Sequence, residues 1–121
     1  MIHSAGFLKL VSDAKTRIEE MTVEEYLELS SNGHSHVLID TREESEWAAG
    51  RAAGAVHLSK GVIERDIEAK IPDKDVTLVL YCGGGYRSAL AADALRQMGY
   101  RRPVSLAGGW RAIVAAGLPV E

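Results

Sequence analysis

Apolar residues along this chain fall into two recurring patterns, short continuous runs and helical spacings. Val76-Thr77-Leu78-Val79-Leu80-Tyr81, bounded upstream by the turn-prone Pro72-Asp73-Lys74-Asp75, predicts a strand buried on both faces, as in a parallel sheet. After it, Leu90, Ala91, Ala94, Leu95 and Met98 recur at helical spacing. Ser88 is the expected N-cap and Gly99 the stop, so this helix is expected to begin just past Arg87. Runs near Val37, Val56 and Val104 predict further strands, alternating with helical stretches near Glu44, Ile63 and Ile113. Ile18 to Met21 predicts a short strand, and Thr22 with Glu25 a capping-box start for a helix toward Ser30. Ala5 to Thr16 predicts a leading amphipathic helix with Phe7, Leu8, Val11 and Ala14 on one side. Such alternation implies an α/β fold with helices on both faces of a mostly parallel sheet.

Chemistry concentrates where the central run ends. Cys82 is the only cysteine, and it stands at the carboxyl end of a predicted strand, the edge at which open α/β sheets bind ligands. Gly83, Gly84 and Gly85 follow it, a costly sequence to order unless backbone must adopt positive φ or approach a ligand closely. Their N–H groups, with the start of the next helix, would stabilise negative charge at the sulfur and lower the thiol pKa below its usual value of about 8.5. Arg87 adds a permanent cation with a planar fork of donors, and Tyr86 is expected at the mouth of the site. A lone cysteine is usually a small buried hydrophobe. The glycine run and Arg87 favour a reactive thiol here.

The segment Cys82-Gly-Gly-Gly-Tyr-Arg87-Ser88 resembles the active-site loop of the rhodanese-like sulfurtransferases, commonly Cys-x-x-Gly-x-Arg. Val37 to Glu43 is similar to that family's strand followed by Asp-x-Arg-Glu, Gly50 to Ala55 to its Gly-His-Ile-Pro-Gly-Ala segment, and Gly108-Gly109-Trp110 to its double-glycine motif. Arg51 and Ala53 replace the usual His and Pro, which implies a local change in that loop. The resemblance runs from 18 to 119, leaving 1–17 as an appended helix on one domain spanning 1–121. It implies a central, mostly parallel five-stranded sheet. It also implies covalent sulfur transfer: a Cys82 thiolate takes the outer sulfur of a donor such as thiosulfate, and a persulfide passes it to a thiol, cyanide or a sulfur-carrier protein. The loop from Cys82 to Arg87 counts six residues, whereas related phosphatases and arsenate reductases carry a seven-residue Cys-x5-Arg loop wide enough for a tetrahedral oxyanion. Sulfur is therefore favoured over phosphate. A non-enzymatic binding or carrier module is the alternative from another class, and loss of the cysteine would have been its sign.

Other residues leave alternatives open. Asp40 could accept hydrogen bonds that hold the loop, or cap the stretch from Glu43 to Ala48. Arg42 could face the pocket, although a surface or structural pair with Glu43, Glu44 or Glu46 is the favoured reading. His34 and His36 read as solvated turn residues, and the four histidines form no metal set. Trp47 and Trp110 read as packing residues.

Composition narrows the classes further. A chain of 121 residues, 46% hydrophobic and 26% charged, suits one globular domain, and a net charge of −3 gives no electrostatic case for nucleic acid or an anionic membrane. A single cysteine excludes an internal disulfide and fits a reducing, cytoplasmic compartment. No apolar run approaches membrane-helix length, and no signal peptide is expected. No cofactor is expected, and the assembly expected is a monomer or weak homodimer.

Overall fold

A computed structural model describes residues 3–121. In chain order it comprises α1 (Ala5–Lys15), β1 (Glu19–Met21), α2 (Val23–Ser31), β2 (His36–Asp40), α3 (Glu44–Ala49), β3 (Val56–His57), α4 (Ile63–Lys70), β4 (Thr77–Tyr81), α5 (Tyr86–Gln97), β5 (Arg102–Leu106) and α6 (Gly109–Ala115). The five strands form one sheet in the order β1-β5-β4-β2-β3, and every pairing is parallel. Crossover connections are obligatory between parallel neighbours, and the intervening helices supply them.

β4 occupies the middle of this sheet, and all five of its residues are buried. Alternate side chains of a strand point to opposite faces. Leu78 and Leu80 accordingly join Ile63 and Ile67 of α4 and Ala91 and Leu95 of α5 in one core layer. Val79 and Tyr81 join Val23 and Tyr26 of α2 and Ile113 of α6 in the other. Leu78, Val79 and Leu80 are each 0% exposed, so each contributes roughly 1.5–3 kcal/mol of burial. A two-sided hydrophobic clamp thus fixes the end of β4, and with it the position of Cys82.

The expected order of elements is found, with shifts at particular boundaries. α2 has the expected capping box, Thr22 accepting from Glu25 N–H while Glu25 accepts from Thr22 N–H. α5 begins at Tyr86 rather than past Arg87, because Gly85 turns the chain in the left-handed region (φ +100°) and caps the helix itself. Ser88 is therefore not an N-cap; it lies inside α5 and is buried. His34 is exposed after the Asn32–Gly33 turn, as expected, with Nε2 3.2 Å from Thr77 Oγ1, whereas His36 is the first residue of β2, half-buried, with Nε2 3.0 Å from the Tyr26 hydroxyl. In the Gly50 to Ala55 loop, Arg51 stacks over Trp47 and Ala53 N–H donates to Pro119 O, which ties the loop to the C-terminal residues.

α1 packs along α5 through Val11 and Ala14. Arg17, just beyond its end, clamps the helix pair by donating to both carboxylate oxygens of Asp93, at 2.8 and 3.1 Å. Among the described residues no helix is long and apolar enough to cross a membrane.

Candidate active site

The loop after β4 wraps its backbone around a single sulfur. Cys82 Sγ receives Gly85 N–H at 3.1 Å and lies 3.5 Å from Ser88 Oγ, which in turn bonds Ser105 Oγ of β5 at 2.8 Å. The residue is 1% exposed. Burial pushes the thiol pKa up, but the Ser88 hydroxyl and the N–H groups of Ser88, Gly85 and Gly84 outweigh it, and the net direction is down. A buried sulfur held by donors rather than by apolar neighbours is suited to carrying negative charge.

A second backbone segment supports the loop from beneath. Trp110 N–H donates to Cys82 O at 2.7 Å and Arg111 N–H to Gly83 O at 3.3 Å. Gly109, at φ +51°, sits so close to the Cys82 carbonyl that any Cβ there would overlap it. Gly109 is thus required by the close approach of two backbones, and Gly108 by the left-handed turn (φ +79°) that starts α6.

Around the sulfur lies a cavity of about 550 Å³, lined by His3, Phe7, Glu46, Cys82, Gly83, Gly84, Tyr86, Arg87, Trp110 and Arg111. Of the residues singled out in the sequence, the structure brings Cys82, Gly83, Gly84, Tyr86 and Arg87 to this cavity. Gly85 and Ser88 stand behind the sulfur as donors.

Arg87 is engaged within the protein. Its guanidinium meets both oxygens of Glu46 on α3, at 2.7 and 3.2 Å, and the pair holds the Glu46 carboxyl below the usual carboxylate range. In the sequence Glu46 reads only as a partner for Arg42. Its role here depends on a contact across the fold, and the one local sign was its position on the helix that follows β2.

Asp40 and Arg42 lie outside the cavity lining. Asp40 is 0% exposed and Arg42 3%, and the two form a bidentate pair with Arg42 Nη2 at 2.8 Å from Oδ2. The Tyr81 hydroxyl donates to Asp40 Oδ2 at 2.6 Å, and burial, with this carboxylate beside it, holds the phenol well above its ordinary range. Tyr81 in turn accepts Ala52 N–H, while Arg42 also donates to Gly50 O and lies 4.5 Å from the Trp110 ring centre. Arg42 therefore neither faces the pocket nor pairs with Glu43, Glu44 or Glu46, and Asp40 neither holds the sulfur loop nor caps α3. Together they form a buried strut joining β2, β4 and the Gly50 loop beneath Trp110.

His3, Phe7 and Arg111 complete the lining, and none was singled out from sequence as a site residue. Phe7 was legible only as part of the apolar side of α1, and Arg111 only as the residue after the double-glycine motif. Among the described residues no three His, Cys, Asp or Glu side chains form a group that could hold a metal ion.

Known proteins resemble this chain along most of its length. Residues 22–116 match the model of the rhodanese-like domain. A sulfurtransferase of Allochromatium vinosum is 37% identical over 84 residues, covering 69% of this chain and 77% of that protein. The probable adenylyltransferase/sulfurtransferase MoeZ of Mycobacterium tuberculosis is 37% identical over 90 residues, covering 74% of this chain and 23% of that protein. The chain spans about a quarter of the length of MoeZ and of a plant chloroplast relative with a rhodanese-like domain. A solved structure from Rhodopseudomonas palustris, described as a protein of unknown function and possible tyrosine phosphatase, aligns with a TM-score of 0.84 at 28% identity, covering 100% of this chain and 98% of that one.

Proposed function

Since the chain belongs to the rhodanese-like domain family, whose relatives here include named sulfurtransferases, we propose that it moves a sulfane sulfur from a donor such as thiosulfate to a thiophilic acceptor through a persulfide on Cys82. The observation that carries this reading is the convergence of Gly85 N–H and the Ser88 hydroxyl on a buried sulfur at the floor of an open cavity. The Cys82 thiolate attacks the outer sulfur of thiosulfate, the S–S bond breaks, and its electron pair leaves with sulfite. The persulfide keeps one negative charge on the transferred sulfur, next to the Cys82 Sγ on which the Gly85 N–H and the Ser88 hydroxyl converge, and donors so close to the new charge favour the intermediate. A nucleophilic acceptor then attacks the outer sulfur and returns the Cys82 thiolate. The chain has one cysteine, so a thiol, cyanide or a sulfur-carrier protein must serve as acceptor.

Intact mass after incubation with thiosulfate tests the proposal. The expected result is a gain of one sulfur atom that is absent in Cys82→Ser and is discharged by cyanide or dithiothreitol. If neither thiosulfate nor a small organic persulfide loads the wild-type protein, the transferase reading fails. A Cys-dependent phosphatase is the second reading, favoured by the description of the Rhodopseudomonas neighbour. Against it stand the six-residue span from Cys82 to Arg87 and the engagement of the Arg87 fork by Glu46. Hydrolysis of p-nitrophenyl phosphate without sulfur loading would reverse that preference.

A further inference from the structure

Ser105 is a polar residue in an apolar place. β5 alternates as a strand must: Val104 and Leu106 enter the core layer shared with α2 and α6, so Ser105 points to the opposite face, where α5 packs over Leu78 and Leu80 of the neighbouring β4. Ser105 is 0% exposed, and so is Leu80, its register partner on β4. A hydroxyl buried in such surroundings is costly unless it finds a partner. Among the described residues that partner is Ser88 Oγ, at 2.8 Å.

Ser88 has an alternative close at hand. A serine inside a helix commonly turns its hydroxyl back to the carbonyl three or four residues earlier, here that of Gly85 or Gly84. Ser88 does not: its Oγ sits between Ser105 Oγ at 2.8 Å and Cys82 Sγ at 3.5 Å. The contact to Ser105 is much the shorter, so it fixes the rotamer and the contact to sulfur follows. Hydrogen count then sets the direction of the chain. Each hydroxyl has one hydrogen to give, whereas Sγ of a thiolate or a persulfide has none. Ser105 therefore donates to Ser88 and Ser88 to the sulfur, which uses both hydrogens, and each bond polarises the next.

We propose that Ser105 is a positioning residue for the sulfur chemistry: its hydroxyl holds the Ser88 side chain away from the helix carbonyls and aims the Ser88 hydrogen at Cys82 Sγ. It touches neither donor nor acceptor and acts through Ser88. Its purpose rests on the sulfurtransferase reading, in which Cys82 alternates between thiolate and persulfide, two states that both accept that hydrogen. Other titratable and charged groups face the sulfur across the cavity, namely His3, Glu46 of α3, Tyr86 and Arg87 of α5, and Arg111 of α6. Around β4 and β5, Asp40 is paired with Arg42, and Glu20, the register partner of Ser105 on β1, with Lys15. None of these bonds to Ser105, so a Ser105 variant keeps them all, and the difference between its pH profile and that of wild type belongs to the hydroxyl.

Alkylation of Cys82 by iodoacetamide from pH 5 to 10, followed by intact mass, tests this without any sulfur donor. In Ser105→Ala the Ser88 hydroxyl is released to its own helix. Alkylation below the wild-type inflection should slow about threefold or more, without exceeding the effect of Ser88→Ala, and the inflection should move to higher pH. Ser105→Thr keeps the hydroxyl on a residue suited to a strand and should restore the wild-type profile. In a Ser88→Ala background Ser105→Ala should shift nothing further, because the two hydroxyls act as one chain. A Ser105→Ala inflection at the wild-type pH, with or without a lower midpoint in urea unfolding, would overturn the proposal, and so would a shift of equal size with and without Ser88. Thiosulfate loading of the wild-type protein reports separately on the transferase reading, so failure of either is recognisable without the other.

Discussion

Replacing Ser88 with alanine removes one of the groups that lower the Cys82 thiol pKa and leaves the sulfur's other donors in place. A hydrogen bond to a charged group is worth about 1.5–3 kcal/mol, and at 3.5 Å the Oγ–Sγ contact belongs at or below the bottom of that range. About 1–1.4 kcal/mol corresponds to a five- to tenfold smaller thiolate population wherever the thiol is mostly protonated. The sign follows from the direction of the shift. A lowered thiol pKa keeps reactivity high above the folded pKa and loses it as pH falls through that value, so raising the pKa moves the loss to higher pH. Alkylation of Cys82 by iodoacetamide, followed by intact mass from pH 5 to 10, reads this directly. Ser88→Ala should react five- to tenfold more slowly below the wild-type inflection, turn over at higher pH, and reach a plateau no lower than wild type, because a more basic thiolate is intrinsically the better nucleophile. The substitution also strands the buried Ser105 hydroxyl, so Ser88→Ala/Ser105→Ala is the matched control for packing. An unshifted profile would refute the reasoning. So would equal slowing at every pH, which would mark a change of access and not of charge.

Three further substitutions probe the supporting structure. Gly109→Ala forces a Cβ against the Cys82 carbonyl at a positive φ and should destabilise the fold by more than about 3 kcal/mol in urea unfolding; a loss under about 1 kcal/mol would mean the two backbones are not obliged to meet. Arg42→Met leaves the Asp40 carboxylate buried without its cation and should cost about 3–5 kcal/mol by the same measurement, and a neutral result would show that the strut is dispensable. Glu46→Gln removes the countercharge of Arg87 and should raise kcat/KM for dianionic thiosulfate about fivefold at low ionic strength, an advantage that fades in ~0.5 M salt. An unchanged or lower value at low salt would mean that Glu46 works by orienting Arg87 and that its charge is immaterial.

The parts of this molecule that local pattern determines are legible in its sequence. The run from Val76 to Tyr81 is apolar without alternation, which only a strand covered on both faces tolerates, and its end point carried Cys82 to the ligand-binding edge of the sheet. What escaped the sequence depends on partners far along the chain. Ser88 looks like an N-cap because Ser before an apolar spacing usually is one, yet its hydroxyl is claimed by Cys82 and by Ser105, 17 residues away. Asp40 reads as a support for the sulfur loop or a helix cap and Arg42 as a surface or structural partner of the glutamates that follow it, but Tyr81 and the Gly50 carbonyl meet them in the interior.

The same limit governs the electrostatics of the site. A motif that places Arg87 five residues after the thiol invites the conclusion that this is the cation an anionic donor meets. Whether a cation is available depends on what else holds it, and Glu46, 41 residues earlier in the chain, holds Arg87 through both oxygens. Arg111 carries no motif of its own beyond following the double glycine, yet it is anchored by its backbone to the sulfur loop with its charge uncommitted among the described residues. Among the described residues, Arg111 and the loop's N–H groups are thus what an anion meets in this cavity without first displacing Glu46 from Arg87.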